Sequence, residues 1–186
     1  MIKKNTFAAI ALFAFLTSVF GQSAYPNKPI RLVVPFPPGG SADIVARSVA
    51  QRFYENTKQT IVVDNKPGAD TIVGMEIVKN APADGYTVGY AIGSALTMNP
   101  TLYSKLPYDP VRDFTPVMVI ANVPLALTIS SSVPAKTTQE FAALIKAKPT
   151  EYFYGQGNIL SKVATEAFAM AAGGKMTEIP YKGSAP

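Results

Sequence analysis

The apolar positions in the first half of the chain alternate between two patterns. Short, nearly continuous apolar runs rich in β-branched residues are typical of buried parallel strands, and the stretches between them have apolar residues at helical spacing. Strands and helices that alternate in this way predict βαβ units around a parallel sheet. The predicted strands are residues 30–36, 60–63 and 86–91. One predicted helix begins near residue 43, and a second spans residues 71–79.

The same pattern restarts after a proline-rich stretch. Thr137 and Glu140 have the spacing of a capping box, which opens a predicted helix that ends near Ala147. The chain is therefore predicted to be α/β, with one complete unit, a crossing near residues 117–125, and the beginning of a second unit. The predicted strands of this half are residues 117–121, 125–130, 152–154 and 176–179, and a further helix is predicted at residues 161–172.

The first 24 residues have the layout of a secretory signal peptide. Lys3 and Lys4 precede an apolar run at residues 7–20, and small residues follow at positions 21–24. The run is short for a membrane span, and an uncleaved membrane anchor is the alternative interpretation. We therefore expect export to the periplasm and cleavage of this signal peptide.

Composition and charge narrow the function. The chain has 17 Lys and Arg residues against 12 Asp and Glu residues, and its net charge of +5 becomes +3 without Lys3 and Lys4. The basic residues are scattered, with no run that would follow a phosphate backbone, so no nucleic-acid partner is predicted. The chain has no Cys and no His, which excludes disulfides, thiolate and histidine metal sites, and a Ser-His-Asp triad. We predict no metal and no cofactor.

Three glycine-containing loops directly follow predicted strands. They are residues 37–41, 65–69 and 155–158. The carboxyl ends of parallel strands share one edge of a sheet, and helix starts at that edge attract anions, although ordinary βα turns also need Gly and Pro. None of the loops has a nucleotide-binding motif.

Catalysis has weak support in these loops. Ser41 or Ser161 as a nucleophile would need a base; only a Lys or a carboxylate could serve, and none has the right local context. Asp43 and Asp70 could form a carboxylate pair, but their distance is not set by the sequence. Ser41 or Asp43 is better interpreted as the N-cap of the helix that follows.

Several long motifs, in order, make the sequence closely resemble the Bug family, the solute-binding receptors of tripartite tricarboxylate transporters. The motifs extend over essentially the whole chain after the signal peptide. They lie at residues 25–31, 34–43, 62–69, 83–87, 99–100, 109–114 and 179–183, and include Val-Pro-Phe-Pro-Pro-Gly-Gly-Ser-Ala-Asp and Val-Val-Asp-Asn-Lys-Pro-Gly-Ala.

The resemblance implies a periplasmic-binding-protein-like (type II) fold of two α/β lobes that closes on a small organic carboxylate. It divides the chain into a signal peptide (1–24), a first lobe (25–122) and the start of a second lobe (123–186). The implied partners are the ligand and the membrane permease subunits of the transporter, with a monomeric receptor and no enzymatic activity. The implied ligand-binding residues are Phe36, Pro38, Gly39, Gly40, Ser41, Asp43, Gly68, Ala69, Asp70, Ser94, Gly155, Gln156 and Gly157.

This chain departs from the family pattern at specific places. Asp70 stands where glycine is usual, and its charge would repel an anion at short range or favour an ammonium group. Gln156 replaces a usual serine in a second-lobe loop that is about two residues short, and Lys162 replaces a usual histidine. Family members continue well beyond residue 183, so we expect a truncated chain with an incomplete second lobe. The alternatives are therefore a binding-incompetent fragment or a sensor that delivers its ligand to a signalling system.

Overall fold

Three parallel strands form the first sheet of the protein. The structure, a computed structural model, describes residues 25–181. Strand β1 (Ile30–Val34) lies between β2 (Ile61–Asn65) and β3 (Thr87–Gly89), which gives the order β2-β1-β3. Both pairings are parallel, as predicted, with Ile30 opposite Ile61 and Leu32 opposite Val88.

Helices cover the strands of this sheet because its central strand is apolar on both faces. Leu32 and Val34 pack against Ala42 and Ala46 of the first helix, and Val33, which is fully buried, points to the other face. The helices of this unit are α1 (Ser41–Thr57), α2 (Ile72–Lys79), α3 (Gly93–Thr97) and α4 (Asn99–Leu102), and a short 3₁₀ helix (Ala69–Thr71) precedes α2.

The second unit has a smaller sheet and its own core. Strands β4 (Phe153–Gln156) and β5 (Thr177–Pro180) are parallel, and they are accompanied by helices α5 (Thr138–Ala147) and α6 (Ile159–Ala171). The core contains Phe141, which stacks on Phe168 with ring centroids 5.9 Å apart. The predicted capping box of α5 is confirmed, because the Thr137 hydroxyl accepts from the Glu140 N–H and the Glu140 carboxylate accepts from the Thr137 N–H.

The predicted strands at residues 117–121 and 125–130 are wrong for this structure. Residues 115–130 form neither helix nor strand. A strand needs a neighbouring strand for its backbone groups, and within residues 25–181 no backbone hydrogen bond reaches residues 115–129. The predicted boundary between residues 122 and 123 falls inside it and stays a prediction.

The predicted signal peptide lies outside the described residues, and so does the end of the last family motif, at residues 182 and 183. Within residues 25–181, no helix is both long enough and apolar enough to cross a membrane.

Candidate ligand-binding site

The predicted first-lobe ligand residues lie at the carboxyl ends of the three strands. The β1–α1 loop contains Gly39 and Gly40, the loop after β2 contains Gly68, and the β3–α3 connection leads to Ser94. Because all three strands are parallel, these loops share the carboxyl edge of the sheet. The structure therefore brings the first-lobe candidates to one edge.

The start of α1 has no side-chain cap. Its N-cap is Gly40, and no side chain accepts from the helix start there. The prediction that Ser41 or Asp43 is the N-cap is wrong, because the helix begins at Ser41 and Asp43 lies within its first turn. The first N–H groups of an α-helix have no acceptor inside the helix, and they carry the positive end of its dipole. Gly39, with φ +82°, permits the turn before this start.

The buried carboxylate of Asp43 anchors the β1–α1 loop through hydrogen bonds. Only 4% of this residue is exposed. Its carboxylate accepts hydrogen bonds from the Gly39 N–H (3.0 Å), from Arg47 Nε (2.9 Å) and from Asn65 Nδ2 (3.0 Å). The bond from Arg47, followed by that from Gly39, lowers the pKa of Asp43 to about 2. The observed role of Asp43 is therefore to position the loop, and its predicted contact with a ligand stays a prediction.

Asn65 joins this loop to the end of β2. Its side-chain amide also donates to the Phe36 carbonyl (3.0 Å), and its own oxygen accepts from Arg47 (3.3 Å). Sequence reasoning placed Asn65 in a family motif but missed this role and that of Arg47. Arg47 lies four residues, about one helical turn, after Asp43. This spacing is the only feature of the sequence that could have indicated their salt bridge.

The backbone after Gly68 is strained. Ala69 (φ 44°), Asp70 (φ 47°) and Thr71 (φ 77°) all have positive φ, although none of them is glycine. Each such residue costs about 1–3 kcal/mol, so other contacts must hold the turn. The Tyr103 hydroxyl donates to the Asp70 carboxylate (2.5 Å), and Asn99 Nδ2 donates to the Asp70 carbonyl (2.9 Å). The bond to Asp70 raises the pKa of Tyr103 to about 12.

Two buried hydroxyls lie beside this turn. The Thr71 and Ser94 hydroxyl oxygens have no hydrogen-bond partner within residues 25–181. The residues that follow them in the sequence, Ile72 and Ala95, pack in the same core cluster. Buried polar atoms usually have partners, so these hydroxyls retain capacity for a ligand or water. Ser94 was predicted as a site residue, whereas Thr71 was taken only as a helix start.

The second-lobe candidates are arranged differently. Gly155 and Gln156 were predicted in a loop, but they belong to β4, opposite Ile179 and Pro180 of β5. The Gln156 carbonyl also accepts from the Tyr181 N–H (2.7 Å), so the pairing extends one residue past the strand. Of the three predicted second-lobe residues, Gly157 alone lies in a loop, the one before α6.

Side chains cap the start of α6. Asn158 accepts from the Ser161 N–H (3.0 Å), and this cap starts the helix at Ile159, two residues before the predicted start. Lys162 donates to Glu178 (2.6 Å), a bond that raises the pKa of Lys162. The Ser161 N–H and the Lys162 ammonium group therefore already have partners in this chain.

Catalytic and metal chemistry receive no support at these loops. Asp43 and Asp70 lie in separate hydrogen-bond networks, the first with Arg47 and the second with Tyr103. The Ser161 hydroxyl donates to the Asn158 carbonyl. Within residues 25–181, no group of three or more acidic side chains is arranged to hold a metal ion.

Comparison with known protein families identifies the family of this chain. A family described as "TctC: Tripartite tricarboxylate transporter family receptor" matches residues 45–186. The chain belongs to the TctC family. This TctC chain is also 34% identical over 185 residues to protein BugT of Bordetella pertussis, an alignment that covers 96% of this chain and 57% of BugT. The predicted family is therefore confirmed.

Solved structures confirm the periplasmic-binding-protein fold of this TctC chain. R. palustris Rpa4515 with adipate is 38% identical with a TM-score of 0.82, and the alignment covers 87% of this chain and 55% of that protein. MatC from Rhodopseudomonas palustris with bound malate is 26% identical with a TM-score of 0.78, covering 86% and 55% respectively. The chain thus spans a little over half the length of its relatives. The family to which the chain belongs is described as a receptor, and a third similar structure, 30% identical with a TM-score of 0.72, is that of the periplasmic binding protein BugD.

Proposed function

We propose that this chain provides the ligand-binding loops of a periplasmic receptor for a small organic carboxylate. The receptor passes its ligand to the membrane permease subunits of a tripartite tricarboxylate-type transporter. Two similar proteins hold adipate and malate, both dicarboxylates, which supports the ligand class. Binding in this proposal breaks no bond and needs neither metal nor cofactor.

The observation that carries the proposal is the Asp43 network beneath the uncapped start of α1. Asp43 fixes Gly39, and Asn65 ties the same loop to the end of β2, so the loop is shaped before a ligand arrives. A loop that is already ordered loses less entropy on binding. The N–H groups of the helix start can then hold a carboxylate, while Arg47 remains paired with Asp43.

The other predicted residues complete the proposed site. Gly68, Ala69 and Asp70 form the second loop, and Ser94 contributes a buried hydroxyl. Gly155, Gln156 and Gly157 are proposed to face the ligand from the second lobe when the lobes close. Phe36 and Pro38 are proposed to contact the ligand from the first loop.

The test titrates the purified chain with adipate, malate and a neutral diol. Calorimetry measures binding, and thermal melting measures stabilisation by the ligand. Gly39→Ala is compared with Gly173→Ala, because both glycines have positive φ (+82° and +71°) and room for a methyl group. Each substitution should cost about 1 kcal/mol of stability. Only Gly39→Ala should weaken binding of the acid, by tenfold or more.

Two results would contradict the proposal. The first is that neither acid raises the melting temperature of the chain, since a bound ligand must stabilise the folded state. The second is that Gly39→Ala and Gly173→Ala bind equally well, which would place the ligand away from this loop.

A further inference from the structure

Asp70 is a carboxylate at the ligand edge that has no direct cationic partner in the described chain. It is half-buried in the turn after Gly68, between β2 and α2. From residue 25 to residue 181, no Lys or Arg lies within salt-bridge distance of Asp70, whereas Asp43 pairs with Arg47 at 2.9 Å. Burying a charge without a partner is unfavourable, so a cationic group brought by a ligand would stabilise this carboxylate.

Only one of the two Asp70 carboxylate oxygens has a donor in the described part of the chain. The Tyr103 hydroxyl donates to Oδ2 (2.5 Å), and no described residue donates to Oδ1. The bond to Asp70 raises the pKa of Tyr103 to about 12, so Tyr103 remains a protonated donor at neutral pH. Tyr103 thus holds the carboxylate in one orientation and leaves Oδ1 as an open acceptor.

The Asn99 amide adds a second open acceptor beside Asp70. Its Nδ2 donates to the Asp70 carbonyl (2.9 Å) and to the Tyr108 hydroxyl (3.3 Å). A carbonyl only accepts, so this contact sets the orientation of the amide. Asn99 Oδ1, on the same amide, is buried and has no donor among the described residues. An amide oxygen also only accepts, so a group that satisfies it must supply N–H or O–H.

The open polar atoms around this turn suit a donor group better than an acceptor group. The hydroxyl of Thr71, the next residue, is buried and without a partner in residues 25–181. A ligand carboxylate has acceptors only, so it could use the Thr71 hydroxyl but neither Asp70 Oδ1 nor Asn99 Oδ1. An ammonium group has three donors and no acceptor, and it suits all three atoms.

The start of α1 has the opposite preference. This helix is 17 residues long, and its first N–H groups, with the positive end of the helix dipole, favour an anion. Because β1 and β2 are parallel neighbours, the loop before α1 and the turn that contains Asp70 lie at the same edge of the sheet. Adjacent loops of one edge therefore favour groups of opposite charge.

We propose that this edge selects a carboxylic acid that also bears an ammonium group, which is the chemistry of an amino acid. The inference rests on the proposed function and names the ligand class of the same site. The α1 start holds the carboxylate, and Asp70 Oδ1 accepts from the ammonium group. The remaining ammonium N–H groups are available to Thr71 Oγ1 and Asn99 Oδ1, directly or through water. Asp70 is thus the residue that determines specificity.

Lys162 of the second unit is within electrostatic range of Asp70 and is the competing cation. Its ammonium group is paired with Glu178 (2.6 Å), and this bond is the main reason that its pKa is raised, with a smaller contribution from Asp70. A Lys162–Asp70 pair formed by closure of the two lobes would act on every bound acid alike. Selection of an ammonium group by Asp70 would instead act on only one member of a matched pair of acids.

The test measures affinity for two such pairs by calorimetry on the purified chain. Aspartate is compared with malate, and 2-aminoadipate with adipate. In at least one pair, the member with the ammonium group should bind at least tenfold more tightly. Asp70→Asn and Asp70→Gly should each lower this ratio at least tenfold. Both substitutions remove the charge, and both new residues tolerate the φ of 47° at this position, so the turn can form.

Two further variants serve as controls. Glu55→Gln removes a carboxylate that pairs with Arg52 near the end of α1, about 20 Å along the helix from its start, and should leave the ratio unchanged. Lys162→Gln removes the competing cation and should not lower the ratio.

Two results would overturn this inference and leave the proposed function standing. The first is that the acids bind, and Gly39→Ala weakens them, but the native chain does not prefer the member with the ammonium group. The second is that Lys162→Gln removes the preference as completely as Asp70→Asn, because Asp70 would then act through Lys162. If no acid of either pair binds, the inference and the proposed function both fail.

Discussion

Helix starts in the two units of this protein are built in opposite ways. In the first unit, the N-caps of α1, α2 and α3 are Gly40, Thr71 and Ile92, and none of them forms a side-chain cap. In the second unit, α5 and α6 begin at Thr137 and Asn158, and each forms a complete capping box.

The difference bears on the proposed ligand-binding site. A capping box supplies partners within the chain for two N–H groups at the helix start, those of the N-cap and N3 residues, so fewer of these groups are available to a ligand. The uncapped starts follow β1, β2 and β3 at a single edge, where the predicted ligand loops lie. An anion at this edge is thus expected to depend mainly on the first unit.

The largest expected effect is that of removing the support under the uncapped start of α1. Asp43→Ala removes the acceptor of the Gly39 N–H, one of the two acceptors of the Asn65 amide, and the carboxylate partner of Arg47. We expect a loss of about 2–3 kcal/mol in the free energy of unfolding, measured by urea denaturation. The control is Glu151→Ala, which breaks an exposed pair with Lys148 and should cost less than about 1 kcal/mol. Equal losses for the two variants would show that the network does not support the loop.

The same network predicts a dependence of stability on pH. The folded-state pKa of Asp43 is about 2, below its ordinary value of 3.8, so the ionised form is favoured in the folded chain. Its contribution is complete above about pH 4 and is lost as the pH falls towards 2. We expect the stability difference between the native chain and Asp43→Asn to shrink by about 1–2 kcal/mol between pH 5 and pH 2, allowing for the exposed Arg47. A difference that stays constant over this range would contradict the assignment.

Removing the cap at the start of α6 should cause a smaller loss of stability. Asn158→Ala removes the acceptor of the Ser161 N–H and should cost about 1 kcal/mol in thermal or urea unfolding. Asn158→Gly should recover most of that loss, because glycine is itself a tolerated N-cap and resembles the start of α1. If Asn158→Ala costs nothing, the capping box contributes no stability and the contrast between the units has no energetic basis.

The regular parts of the fold could be predicted because their causes are local. Continuous apolar runs predicted β1, β2 and β3, and the spacing of Thr137 and Glu140 predicted the start of α5. The edge that carries the loops follows from parallel strands alone.

The remaining features depend on residues that are distant in the sequence. Asp43 becomes a buried support because Asn65, 22 positions away, reaches it, and no local pattern indicates that contact. Residues with positive φ are usually glycine, but Ala69, Asp70 and Thr71 are not. The sequence therefore did not indicate the positive φ angles of this turn. The strands predicted at residues 117–121 and 125–130 have the right pattern but no neighbour in the described chain.

The smallest expected effect concerns the charge at the uncapped start of α2. Asp70 accepts from the Tyr103 hydroxyl, and its negative charge lies in the turn after Gly68. Asp70→Asn keeps a side chain that tolerates positive φ and removes the charge, so adipate or malate should bind about two- to fivefold more tightly by calorimetry. Glu178→Gln, which removes a carboxylate paired with Lys162 in the second unit, is the matched control for a general change in charge. Unchanged affinity in Asp70→Asn would mean that the first-unit edge holds its ligand away from Asp70.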